Sequence, residues 1–272
     1  MIKLGECTYV DAARLARDPR SLILLPLGAV EEHGPHLPLL VDWLGAEELA
    51  RRIAPHLERG GFTPVLAPSL PYGVSTLAEE WSGTVSLSKS LMTRLIVEVI
   101  RALARHGFRR FLLVNYQADP DHLRAMEAAR RVLVRGRKLR VVFAGFAPDP
   151  AANAAMVNPQ VLRLLRSPRP ESEWHSGELE TAMVLEARPR LVRRSLMRKL
   201  PPAWVDFRGR LEGGARRFRE IDNKTRGYFG WPAVASPETA VRVMRLRGRL
   251  IAADVMRALG PRPRASRKRP VR

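Results

Sequence analysis

Short, continuous apolar runs alternate with longer stretches of helical periodicity through the first half of the chain. Ser21–Leu27 (SLILLPL), Thr63–Ala67 (TPVLA), Arg110–Val114 (RFLLV) and Leu139–Gly145 each have the length and content of a strand. Gly45–Leu57 carries apolar residues at helical spacing and stops before Gly60-Gly61. Lys89–His106 presents the stripe Leu91, Leu95, Val99 and Leu103, with Ser88 as its N-cap and Gly107 as its stop. Asp121–Val134 is a third helix, and about Pro237–Leu259 a last one. Strands that are apolar on both faces and interleaved with helices predict an α/β fold, a mainly parallel sheet covered by helices on both faces. Residues 200–232, with Pro201-Pro202, Gly213-Gly214, Trp204, Phe218 and Trp231, form the least regular part. No linker divides the chain, so a single domain is expected over residues 1–260.

Composition narrows the picture. With 272 residues and 46% hydrophobic content the chain can bury a sizeable core, filled by aliphatic side chains because only 6% is aromatic. Cys7 is the one cysteine, which excludes an internal disulfide framework and a thiolate zinc site. No run of about 18 apolar residues predicts a membrane span, and MIKLGECTYVDAARL has no secretory pattern, so a cytoplasmic protein is expected. The net charge of +20 comes from arginines scattered through every segment. The one dense cluster, residues 261–272 (PRPRASRKRPVR), is expected to be a disordered basic tail. No recognition motif accompanies the charge, so nucleic acid is not the expected partner.

In such sheets ligands sit beyond the carboxyl ends of the strands. The polar motifs fall there: GAVEEHGPHLPLLVD after the first run and NYQADPDH after the third. Glu31, Glu32, His33, His36 and Asp42 together offer oxygen and nitrogen ligands suited to a divalent ion. Glu31 and His33, two apart, point the same way in an extended segment, and Asp42 can return beyond the Gly34-Pro35 turn to meet them. A metal-activated water is the chemistry such a set supports; a polar surface loop is the alternative.

Five motifs occur in an order that resembles the creatininase family. They are LPLGAVEEHGPHLPLLVD, PSLPYGVS, WSGTVSLS, EWHSGELETAMVLEARPRLV and GYFGWPAVASPETA, spread over residues 20–258. The resemblance implies a three-layer α/β fold with a two-metal centre, and homo-oligomers, often hexamers. It also implies hydrolysis of C–N bonds in cyclic or linear amides. Members include creatinine amidohydrolase, a formylaminopyrimidine deformylase and a peptidase of mycofactocin maturation. Carried over, Glu31 ligates one ion and His33 the other, with Asp42 bridging. His175 matches the histidine proposed to hand a proton to the leaving nitrogen.

One motif departs from the family. Its usual N-G-H-G-G-N loop, which supplies a histidine ligand, reads Asn115, Tyr116, Gln117, Ala118 and Asp119 here. A neutral glutamine oxygen is a weaker zinc ligand than imidazole. Asp119, or Glu178 in HSGE, could supply a compensating carboxylate; helix-cap and helix-dipole roles are their alternatives. Glu180, Thr181 and His36 are expected to be structural, and His56, His106 and His122 to be ordinary surface histidines. Tyr72, Ser75, Tyr116 and Trp174 are candidates for substrate contact. The expected function is therefore a metal-dependent hydrolase of non-peptide C–N bonds in a small polar compound, using one or two ions of zinc, manganese or iron. A family member with a weakened metal site that binds a ligand or partner without catalysis is the alternative.

Overall fold

The computed structural model describes residues 1–136, 138–149 and 153–260. The basic tail lies outside the described residues. Five parallel strands form one sheet in the order β1-β3-β2-β4-β5. They are β1 (Ile2–Lys3), β2 (Ser21–Leu27), β3 (Thr63–Leu66), β4 (Arg110–Asn115) and β5 (Arg140–Gly145). Every residue of β2 is buried, as a central parallel strand covered on both faces requires. Its register pairs Ile23 with Val65 on one side and with Phe111 on the other.

Alternate residues of the strands point to opposite layers. Leu22, Leu24, Leu112 and Val114 face a core shared with α2 (Val41–Arg59), α5 (Glu178–Ala187) and α6 (Pro237–Leu259). Ile23, Leu25, Phe111 and Leu113 face a second core with α3 (Lys89–Arg105) and α4 (Pro120–Val134). This is the α/β/α sandwich expected from the apolar runs. Two short N-terminal elements escaped the sequence pattern. One is β1. The other is α1 (Tyr9–Arg17), a helix with no buried residue, opened by a Thr8–Asp11 capping box.

Chain order decides where the loops converge. The helix after β2 covers one face of the sheet, and the helix after β4 covers the other. The adjacent carboxyl ends of β2 and β4 therefore open into a crevice at a topological switch point. Gly28, immediately after β2, lets the start of α2 approach: a Cβ there would lie 2.4 Å from the backbone N and Cα of Trp43. That close approach brings Asp42, in the first turn of α2, back over the end of β2. Among the described residues no helix is long and apolar enough to cross a membrane.

Candidate metal centre

Four segments meet above β2 and β4. The Glu31–His36 loop follows β2, Asp42 comes from α2, Ser75 from the loop after β3, and Gln117 follows β4. A fifth segment, His175–Glu180, closes the site at the start of α5. Glu31, Glu32, His33, His36, Asp42, Ser75, Gln117, His175, Ser176 and Glu178 are all buried. Two sets of three could each hold an ion: Glu31, His33 and His175, and His33, Asp42 and Glu180; within each set the donor atoms lie within 4.8 Å of one another.

His33 is held for this purpose. Its Nδ1 sits 3.0 Å from the carbonyl oxygen of Glu31. Donation there leaves the lone pair on Nε2, the arrangement a metal-ligating imidazole uses. Nε2 points at Asp42 Oδ1, 3.6 Å away, and Glu180 Oε2, 3.7 Å away. Neither His33 Nε2 nor Asp42 Oδ2 has a hydrogen-bond partner, although both are buried. Orphaned buried acceptors are costly, and a divalent cation is the group that satisfies a nitrogen lone pair and carboxylate oxygens together. The residues present thus fit a metal. The electrostatics agree: burial alone lowers the pKa of His33, yet Asp42, Glu180 and Glu31 together drive it well above the usual histidine value. Burial, reinforced by the charge of Asp42, pushes Glu31 up to about 8. A pocket that pulls protons onto both groups is one short of positive charge.

The backbone turn that places the fifth segment is strained. Ser176 adopts φ of 55°, a left-handed conformation uncommon outside glycine. Its N–H donates to Glu180 Oε2 at 2.6 Å, which aims that carboxylate inward. Glu178 and Glu180 lie two residues apart on a helix, about 200° around its axis, so only one can face His33. Glu180 does. Glu178 points instead to the preceding loop, where it accepts the backbone N–H groups of Arg166 and Ser167 at 2.7–2.8 Å. Sequence reasoning gave Glu180 only a structural role. The sequence carried no signal that Glu180 rather than Glu178 faces the centre.

Asp119 is likewise committed elsewhere. It is the N-cap of α4, with Oδ1 accepting from the N–H groups of Asp121 and His122 and Oδ2 from Leu77 N–H. Gln117 does reach the centre, but with its amide nitrogen, which donates to Glu31 Oε2 and to Ser75 Oγ. Its oxygen accepts the N–H of Asp119 at 3.0 Å.

His175 stands between two carboxylates. Its Nε2 is 3.0 Å from the carbonyl oxygen of Glu32 and 3.4 Å from Glu32 Oε1. Its Nδ1 is 3.9 Å from Glu31 Oε1. Burial and neighbouring His33 lower its pKa, but the hydrogen bond and charge of Glu32, with Glu180, raise it overall. Phe218 packs against the ring at 4.5 Å between centroids. His36 donates to or accepts from Thr181 Oγ1 at 2.8 Å, and burial drives its pKa down to about 3.

The remaining candidates separate. Tyr72 and Trp174 keep exposed surface, with Trp174 stacked on Phe207. Tyr116 is buried in the layer beneath, where its hydroxyl accepts from Arg247. His122, expected at the surface, is fully buried against the Gly73 turn; its ring fills the space that glycine leaves.

Comparison with known proteins finds relatives in sequence and in fold. The sequence model of the family described as "Creatininase: Creatinine amidohydrolase" matches residues 5–254. Creatinine amidohydrolase of Pseudomonas putida is 29% identical over 217 residues, 74% of this chain and 77% of that protein. The mycofactocin precursor peptide peptidase of Mycobacterium tuberculosis (strain CDC 1551 / Oshkosh) is 33% identical over 118 residues, 41% of this chain and 46% of that protein. A crystal structure of creatinine amidohydrolase superposes with a TM-score of 0.73 at 26% identity, covering 96% of this chain and 99% of its own. Related creatininase structures are described as a Mn form and as Zn-Zn type.

Proposed function

Because the chain belongs to the creatininase family, we propose that it is a metal-dependent amidohydrolase that cleaves a C–N bond in a small polar compound. The observation that carries this reading is the pair of buried, unpartnered atoms His33 Nε2 and Asp42 Oδ2, with His33 Nε2 less than 4 Å from carboxylate oxygens of both Asp42 and Glu180. A divalent ion held there, zinc or manganese by analogy with the relatives, would polarise the amide carbonyl and lower the pKa of a bound water toward neutrality.

The chain's own residues supply the rest. His33, Asp42 and Glu180 would hold the ion, a histidine-plus-carboxylates set of the kind catalytic sites use. Glu178 and Asp119, proposed from the sequence as ligands, are replaced in this role by Glu180, because their carboxylates already serve backbone N–H groups. His175 donates its Nε2 proton to the carbonyl of Glu32, which leaves Nδ1 facing the site to shuttle a proton onto the departing nitrogen. Glu31, 3.9 Å from that Nδ1, stabilises the imidazolium when it forms. Tyr72 and Trp174, at the exposed margin, contact substrate. The buried site excludes bulk water, which strengthens each of these interactions.

The resemblance to a peptide peptidase favours a second substrate class, a peptide amide. A panel of cyclic amides, linear amides and short peptides, assayed after reconstitution with zinc or manganese, tests both. No bound divalent ion together with no turnover on any of them overturns the proposal. Assembly into a homo-oligomer, a hexamer by resemblance, is proposed as well, and light scattering of the purified protein measures it.

A further inference from the structure

We propose that this centre binds one divalent ion rather than two, at His33, Asp42 and Glu180, and that Gln117 is the residue that withholds the second position. The inference rests on the metal-dependent reading above and deepens it.

Two ions require two sets of donors. The two candidate sets share His33, whose Nδ1 is engaged by the Glu31 carbonyl. A single nitrogen, Nε2, is left, and one lone pair binds one ion. A second ion beside Glu31 would have only His175 Nδ1 as a nitrogen donor, the atom the proposed proton shuttle uses, and Gln117 is the further side chain that hydrogen-bonds Glu31. Gln117 cannot serve. Its nitrogen carries hydrogens and faces Glu31 Oε2 and Ser75 Oγ, and its oxygen is taken by the N–H of Asp119. Flipping the amide would set oxygen against the Glu31 carboxylate and NH₂ against the Asp119 N–H, so the network fixes the orientation.

The carboxylates that could compensate are spent. Asp119 caps α4 and anchors Leu77 N–H. Glu178 holds the 166–167 backbone. Glu31 Oε2 already accepts from a neutral donor, the Gln117 amide. Unpartnered buried atoms occur at His33 Nε2, Asp42 Oδ2 and Glu32 Oε1, and not at Glu31. Gln117 fills the space beside Glu31 Oε2 with N–H groups where an ion would sit.

Ion counting decides it without reference to turnover. The full-length protein is stripped with chelator, equilibrated with excess Zn²⁺, freed of unbound metal and analysed by elemental analysis and native mass spectrometry. One ion per chain is expected. Glu180→Gln is expected to weaken Zn²⁺ affinity at least ten-fold and Glu31→Gln less than three-fold, both checked for native circular dichroism. Gln117→His, which replaces the N–H donor with an imidazole, is expected to raise the count to two. Two ions in the natural protein overturn the inference while leaving the hydrolase reading intact. A count that stays at one in Gln117→His, or loss of the ion in Glu31→Gln, also overturns it. No ion in the natural protein overturns the metal-dependent reading itself.

Discussion

Acidification weakens this fold in part through His122, an imidazole that takes no part in the proposed chemistry. His122 lies in the first turn of α4, fully buried. Its Nδ1 accepts the N–H of Val74 at 3.2 Å, so the proton of the neutral ring sits on Nε2. Charging the ring would forfeit that bond inside a site with no hydrogen-bond acceptor for Nε2. Burial accordingly pulls its pKa from 6.5 down to about 4, with only a small opposing effect of Asp42. Unfolded, the same histidine titrates near 6.5. Between these values the unfolded chain holds a proton that the folded chain refuses, so stability rises with pH across that window and falls as the solution is acidified. Above about pH 6.5 both states are neutral and the effect vanishes. At about 1.4 kcal/mol for each pH unit, the interval amounts to about 3 kcal/mol by pH 4. The measurement is urea unfolding of chelator-treated protein from about pH 7 to pH 4, compared with His122→Asn, whose side-chain oxygen can still accept from Val74. The variant loses some packing at every pH, so the slopes rather than the absolute stabilities are compared. Superimposable slopes would refute the argument.

Asp119→Ala removes the cap of α4 and the anchor of Leu77 N–H, and should cost about 1–2 kcal/mol in chemical denaturation while leaving the number of bound ions unchanged. Glu178→Ala leaves the Arg166 and Ser167 N–H groups unpaired; a loss of about 1–3 kcal/mol is expected, with faster amide exchange at residues 166–167 and unaltered Zn²⁺ affinity. Reduced affinity in either variant would return that carboxylate to the ligand set. Gly28→Ala drives a methyl group into the backbone of Trp43, so a loss of about 1–3 kcal/mol is expected together with weaker Zn²⁺ binding, because Asp42 must move with the start of α2. Equal metal affinity would show that α2 can give way without disturbing the centre.

The layered fold was legible because the interiors of β2 and β4, Leu22–Leu27 and Phe111–Val114, are continuous apolar runs, a pattern that a strand covered on both faces needs. The crevice followed from it, since parallel strands deliver their loops to one edge. What the one-dimensional pattern could not carry was direction. Glu178 and Glu180 are both carboxylates within five residues of His175, and the rotation of the helix decides which of them meets His33. The same holds for His122: spacing placed it on α4, but whether α4 turns it outward or into the niche left by Gly73 depends on a loop more than forty residues away. Gln117 is the reverse case. The sequence registered it as a lost histidine, a subtraction; its neighbours make it an active donor that ties Glu31 to Ser75. The substitution and the absence of a free atom on Glu31 are then one fact seen twice. The altered position consumes the hydrogen-bonding capacity that a second ion would otherwise have used, and a site can lose an ion in this way without acquiring a buried unsatisfied charge.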